Sequence, residues 1–245
     1  MSETAKVALV TGAARRIGAA IATRLHVAGY RLALHAHGSV AELDALCAQF
    51  EQRVPGSTLA LHADLANTAA LPALVEATLT RFGRLDAVVN NASNFFPTPL
   101  AEATAAQWDT LMAVNARAPF FLAQAAAPAL REWGGSIVNL TDAGLAHPLP
   151  AHGAYTAAKG ALAALTAALA VELAPEVRVN AVAPGAILWP ETGKAPAAQA
   201  AALARTPLGR TGTPEEVAEA VRWLLDDALY LTGHTLMLDG GRGLG

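Results

Sequence analysis

Tyr155-Thr156-Ala157-Ala158-Lys159 places a phenol and an ammonium four residues apart. On a helix such a pair shares one face, with Cβ atoms about 5–6 Å apart. A nearby cation favours the phenolate and predicts a Tyr155 pKa below about 10, which would make the phenol a proton donor near neutral pH. Asp142 stands thirteen residues before the tyrosine, in Leu140-Thr141-Asp142-Ala143-Gly144. A carboxylate there could accept a hydrogen bond from the phenol or pass a proton through water. It could equally cap its own turn, a setting that Asp favours. Because Tyr-x-x-x-Lys arises often by chance, its weight comes from the segments around it.

One such segment is Val10-Thr11-Gly12-Ala13-Ala14-Arg15-Arg16-Ile17-Gly18, which joins an apolar strand to a helix. Gly12 permits a tight turn and Gly18 close packing of helix on sheet. The helix N-terminus offers free N–H groups to a diphosphate. An acid at the end of the second strand would hold the adenosine ribose of NAD and repel an extra phosphate. That strand ends Leu34-His35-Ala36-His37-Gly38-Ser39 and carries no acid. With Arg15 and Arg16 in the turn and Ser39 as a donor, the expected cofactor is NADP(H). His35 and His37 share a strand face but have no third ligand nearby in sequence, and the other histidines do not cluster, so no metal is expected.

The elements that must position these groups follow from the apolar pattern. Strands are predicted near Val7–Val10, Leu32–Leu34, Thr58–Leu61, Ala87–Val89, Ser136–Asn139, Val177–Val182 and Thr235–Leu238. Helices are predicted at roughly Ile17–Ala28, Val40–Arg53, Ala69–Phe82, Ala105–Leu130, Tyr155–Leu173 and Pro214–Leu225. Several strands lack polar alternation, as expected when helices cover both faces of a parallel sheet. Regular βα alternation without a linker predicts one α/β domain over residues 1–245, a Rossmann-type doubly wound parallel sheet of about seven strands. Thr213-Pro214-Glu215-Glu216 reads as a capping box. The stretch from Pro184-Gly185 to Pro207, with Pro190, Gly193 and Pro196, breaks the rhythm. It predicts an irregular substrate loop at about 184–213 on the ligand side of the sheet.

Composition narrows the class further. Hydrophobic residues make up 53% and charged ones 15%, which leaves ample core material and no sign of disorder. The formal charge of −3 with scattered Lys and Arg argues against nucleic-acid or membrane-surface partners. A single Cys47 excludes an internal disulfide and reads as an apolar filler. The apolar tract Gly160 to Val171 is shorter than a bilayer span, and Met1–Lys6 has no signal-peptide pattern. The expected location is the cytoplasm.

Taken in order, the glycine turn, Asn90-Asn91-Ala92, Asn115, Tyr155 with Lys159, Pro184-Gly185 and the ending Leu231-Thr232-Gly233 to Asp239-Gly240-Gly241 resemble the short-chain dehydrogenase/reductase family. The resemblance spans nearly the whole chain. Arg16 stands where that family usually has the middle glycine of the turn, and Asp142 where it has a catalytic serine. Both departures resemble the pteridine reductases, as do Asn91-Ala92-Ser93-Asn94-Phe95-Phe96-Pro97-Thr98-Pro99-Leu100 and His37-x-Ser39. Gly38 stands where those enzymes often carry a basic residue.

The resemblance implies roles position by position. Asn91, Ala92, Asp64 and Leu65 would line the dinucleotide. Lys159 would bind the nicotinamide ribose and tune Tyr155, and Asn115 would hold a water of the proton relay. Ser93 and Arg16 would contact both the cofactor phosphates and a pterin. Phe95 would stack on that pterin, since only one of the Phe95-Phe96 pair can easily face the site. The function implied is NADPH-dependent reduction of a dihydropterin such as dihydrobiopterin, dihydromonapterin or dihydrofolate, by a homotetramer. The alternatives are a 3-oxoacyl-carrier-protein or general carbonyl reductase of the same fold, and a non-catalytic NADP(H)-binding sensor.

Overall fold

The computed structural model describes residues 5–189 and 195–244. Seven strands, β1 (Val7–Val10), β2 (Arg31–Ala36), β3 (Thr58–His62), β4 (Ala87–Asn90), β5 (Ser136–Leu140), β6 (Arg178–Pro184) and β7 (Thr235–Leu238), form one parallel sheet in the order β3-β2-β1-β4-β5-β6-β7. This is the expected doubly wound sheet. Its order reverses between β1 and β4, so a crevice opens beyond the carboxyl ends of those two strands.

Helices cover both faces, and strand alternation divides the core between them. Ala8 and Val10 of β1 point to the side of α1 (Arg16–Val27), α2 (Val40–Arg53) and α8 (Pro214–Asp226), where Ile21, Leu43, Phe50 and Val221 fill one cluster. Val7 and Leu9 point to the side of α3 (Leu71–Phe82), α5 (Ala118–Trp133) and α6 (Gly153–Leu173), where Leu74, Leu122, Leu130 and Leu169 fill the other. Both parities of a strand are therefore apolar, which is why alternation was absent from the sequence. Cys47 is buried in the first cluster. With 21 residues, α6 is longer than the apolar tract suggests, and by length and composition it could cross a membrane. It packs on β6 and on α4 (Ala105–Met112), with Leu162, Thr166 and Leu169 turned inward.

The single helix expected over Ala105–Leu130 is broken. Between α4 and α5 the ladder widens into a π turn at Ala113–Arg117. Pro119, in the first turn of α5, has no N–H to give and its ring crowds the carbonyl four residues back. The Asn115 side chain occupies the gap and donates to the Leu111 carbonyl at 3.0 Å.

The stretch expected to be irregular over 184–213 also contains a helix, α7 (Pro196–Ala204). Pro196 serves its first turn, where no N–H is needed, and the alanines that follow are strong helix formers. Pro190 and Gly193 lie outside the described residues.

The capping box at Thr213–Glu216 is present, and Glu216 also accepts from Nη1 and Nη2 of Arg210. At the other end of α8, Arg178 donates to the carbonyls of Leu224 (2.7 Å), Leu225 (2.8 Å) and Ala228 (3.2 Å). A guanidinium there satisfies orphan carbonyls and opposes the negative end of the helix dipole. Arg178→Ala should destabilise the fold by about 2–3 kcal/mol, because the carbonyls lose a charge-assisted partner. Equilibrium urea unfolding checks this, and a shift in midpoint below a tenth of the wild-type value would refute it.

Candidate active site

The glycine turn after β1 is built by residues distant in sequence. Thr11 Oγ accepts hydrogen bonds from the N–H groups of Asn91 (3.0 Å) and Ala92 (3.1 Å). Asn91 returns two from its side chain, to the carbonyls of Thr11 (3.0 Å) and Gly12 (2.9 Å). A Cβ on Gly18 would sit 2.0 Å from the Gly12 carbonyl oxygen, and one on Gly12 would sit 2.8 Å from the Ala92 backbone. Both glycines are thus demanded by close approach of backbone.

His35, read in the sequence only as half of an unfulfilled metal pair, is the third support. Its Nε2 bonds to the Ala63 carbonyl at 3.0 Å, and the Gly12 N–H donates toward its Nδ1 at 3.4 Å. Burial keeps this imidazole below its usual pKa and hence neutral, as an acceptor at Nδ1 requires. Among the described residues no three His, Cys, Asp or Glu side chains converge as a metal site.

Around this turn lies a cleft of about 930 Å³. Of the sequence-predicted residues it is lined by Gly12, Arg15, Arg16, Ile17 and Gly18, by His37, Gly38 and Ser39, and by Asp64, Leu65, Asn91, Ala92 and Ser93. Glu42, in the first turn of α2, also lines it and was not singled out in the sequence. Its signal was there: three residues beyond Ser39, it falls on the cleft side of a helix that starts at the cleft. Space, backbone N–H groups and glycine approach together fit a dinucleotide with its diphosphate at the α1 N-terminus. Arg16 adopts a left-handed φ of +54°, the backbone shape that a glycine takes without strain, and its Nη2 donates to the Trp189 carbonyl at 3.3 Å. Pro184 and Gly185 sit at the end of β6, outside the lining of this cleft. Gly185 lies against the Asp239 backbone, where a Cβ would meet Cα at 2.7 Å.

Next to the cleft, β5, α6 and the π turn bring the proton-bearing groups together. Tyr155, one helical turn before Lys159 on α6, donates its phenol hydrogen bond to Asp142 Oδ2 at 2.6 Å. Asp142 Oδ1 accepts the Gly144 N–H at 2.6 Å. One oxygen of Asp142 therefore caps its own turn and the other accepts the hydrogen bond of the phenol. Asn115 is fully buried. It accepts from Ser93 Oγ at 2.6 Å and donates to the Asn94 carbonyl at 2.9 Å, so it ties the loop after β4 to the π turn. Phe95 is 49% exposed and meets the Tyr155 ring edge-on, with centroids 4.8 Å apart.

One expectation is corrected. The Tyr155 pKa is raised, not lowered, chiefly by burial and next by the Asp142 carboxylate beside it, with only a small opposing pull from Ser93. Lys159 does not offset this, because the residue is buried (3% exposed) and its Nζ is turned to the Leu140 carbonyl at 2.7 Å. Burial pushes the ammonium itself down to about 8, against the attraction of Asp142. In this arrangement Tyr155 is a firmly protonated acid, already aimed at a carboxylate.

A family model described as enoyl-(acyl carrier protein) reductase matches residues 12–242. Pteridine reductase 1 of Leishmania tarentolae is 38% identical, over 99% of this chain and 98% of its own. A 3-oxoacyl-[acyl-carrier-protein] reductase of Synechocystis is 36% identical, over 97% of each. L-fucose dehydrogenase of Mus musculus is 36% identical, over 98% of this chain and 89% of its own. With this likeness running from the glycine turn to the last strand, the chain belongs to the short-chain dehydrogenase/reductase family, and it is an oxidoreductase of that family.

Proposed function

We propose that the protein is an NADPH-dependent reductase that takes a dihydropterin, such as dihydrobiopterin, dihydromonapterin or dihydrofolate, to its tetrahydro form. The observation that carries this reading is Asp142, whose carboxylate accepts the hydrogen bond of the Tyr155 phenol at 2.6 Å. A ketone reductase needs a neutral donor at that place, because the carbonyl oxygen turns negative and an ionised carboxylate would repel it. A C=N bond needs its nitrogen protonated, and a carboxylate beside a phenol supplies that path.

NADPH, when bound, supplies the hydride. The protein's own residues do the rest. Gly12, Gly18 and the α1 N-terminus would take the diphosphate, and Arg15, Arg16, His37 and Ser39, which line the cleft, would hold an extra phosphate. Gly38 leaves room there and adds no charge of its own. Tyr155 and Asp142 hold the proton, Lys159 opposes the negative charge left on the pair, and Asn115 holds the loop carrying Ser93 and Phe95. The exposed face of Phe95 is a platform for a flat ring. The same reading has the enzyme acting in the cytoplasm as a homotetramer. Half-exposed Trp108 on α4 and Phe121 on α5 support a helical interface between copies, which light scattering in solution would test.

Reduction of a 3-oxoacyl or other ketone is the second reading, and near-equal identity to the Synechocystis enzyme favours it. Turnover of dihydrobiopterin and dihydrofolate, measured by NADPH absorbance beside a β-ketoester and an NADH control, separates the two. Pterin turnover with preference for NADPH is expected. Ketoester turnover alone would move the enzyme to the second reading.

A pH dependence follows from the buried lysine. Lys159 titrates at about 8 in the folded chain, whereas a free lysine titrates near 10.4. Between those values the unfolded chain holds more protons, so this residue's burial penalty is complete below pH about 8 and eases as pH rises. Activity should run the opposite way. As Lys159 loses its charge, kcat/KM should fall by up to about tenfold per unit above pH 8. A profile flat to about pH 9.5 would show that the charge of Lys159 is not needed.

A further inference from the structure

Two loops meet over the proton donor. One follows β4 and carries Phe95 and Thr98; the other, Leu149–His152, leads into α6. They are joined at two points. Ala151, in the left-handed region at φ +59°, turns its carbonyl to accept the Thr98 N–H at 2.5 Å. The His152 imidazole stacks on Phe95, with centroids 4.7 Å apart and planes 17° from parallel. The imidazole is itself held by its own loop: Nδ1 bonds to the Pro150 carbonyl at 2.8 Å and the backbone N–H donates to Leu149 at 3.3 Å.

Phe95 is consequently bounded on two sides. His152 stacks on one face and the Tyr155 ring stands perpendicular to it, while the 49% of the residue that stays exposed is surface a ligand can reach. Without the imidazole the phenyl ring could swing about its own side-chain bonds into the space His152 fills. Aromatic stacking has a narrow optimum in separation and tilt, so the placement of Phe95 decides how well a flat ring is held.

We propose that His152 is a positioning residue that fixes the tilt of Phe95 and so sets the affinity of this site for a flat heteroaromatic substrate relative to a flexible ketone. The proposal rests on the pterin reading above, in which Phe95 is the ring platform. His152 shares the wall of a small cavity with Asp142 and Tyr155 but hydrogen-bonds to neither, and it lies outside the lining of the dinucleotide cleft. It acts through Phe95 alone, and its effect belongs in substrate KM, not in kcat or cofactor affinity.

The test compares wild type, His152→Ala and His152→Phe with dihydrobiopterin and with a β-ketoester. In His152→Ala the dihydrobiopterin KM should rise about three- to tenfold. Its kcat, its NADPH Kd and its ketoester KM should stay within about twofold of wild type. His152→Phe, which restores a flat ring, should recover most of the lost affinity. A dihydrobiopterin KM that falls in His152→Ala would mean the imidazole occupies the ligand's own face, and would overturn the proposal. So would an equal rise for the ketoester, or no recovery in His152→Phe. Absence of dihydropterin turnover in wild type would overturn the substrate reading and leave this one to proton NMR. Stacked rings shift the His152 ring protons upfield through the Phe95 ring current, and Phe95→Leu removes the shift. Ordinary shifts in wild type would overturn the positioning role.

Discussion

Tyr155→Phe should lower kcat by roughly 100- to 10,000-fold, the range over which a positioned acid accelerates proton transfer. The phenol sits 2.6 Å from Asp142, and its raised pKa keeps it protonated across the working pH range. Removing the hydroxyl takes away the proton nearest the reacting centre and leaves the ring in place against Phe95. NADPH affinity should stay within about threefold, since the glycine turn and the cleft around it are untouched. Rapid-mixing turnover beside an NADPH fluorescence titration gives both numbers. Retained activity in the variant would remove Tyr155 from the chemistry. A loss this large also excludes the non-catalytic sensor, which has no turnover to lose.

Asp142→Ser should separate substrate classes. Dihydropterin kcat/KM should drop about 10- to 100-fold, because a hydroxyl lacks the basicity with which a carboxylate holds a proton beside the phenol. Ketoester turnover should fall less than about threefold, or rise, because a hydroxyl suits a developing alkoxide. The cap on Gly144 is the complication, since one oxygen of Asp142 serves it at 2.6 Å. Asp142→Asn resolves this: asparagine caps as well as aspartate but does not carry the proton. A dihydropterin loss in Asp142→Asn close to that of the serine variant would assign the effect to proton transfer. Full dihydropterin activity in Asp142→Asn would make Asp142 a turn residue only.

The alternation of strands and helices was legible because it is local. Apolar runs of β-branched residues and helical periodicity report on neighbours within a few positions, and here they located all seven strands to within a few residues. The break at Ala113–Arg117 was harder to read, although Pro119 signalled it. A proline can serve a helix start or kink an interior, and only the packing of Asn115 on Leu111 and Asn94 selects a π turn. α7 was missed for a related reason. Proline and glycine suggested loop, while the alanine run after Pro196 had weak amphipathicity to announce it.

At the site, short spacings were enough to mark the glycine turn and to place Tyr155 and Lys159 on one helix, because both depend on residues a few positions apart. Which groups meet across the fold depends on how the sheet orders its strands. β1 lies between β2 and β4, so His35 and Asn91 converge on Gly12 from 23 and 79 residues away. The direction of the Tyr155 pKa was decided the same way. Sequence spacing brings Lys159 near the tyrosine, but the end of β5 takes its ammonium for Leu140 and delivers Asp142 to the phenol instead. Helix periodicity sets which face a side chain shares, and it cannot say which partner from another element arrives there; burial and strand order settle that, and with them the sign of the charge at the proton donor.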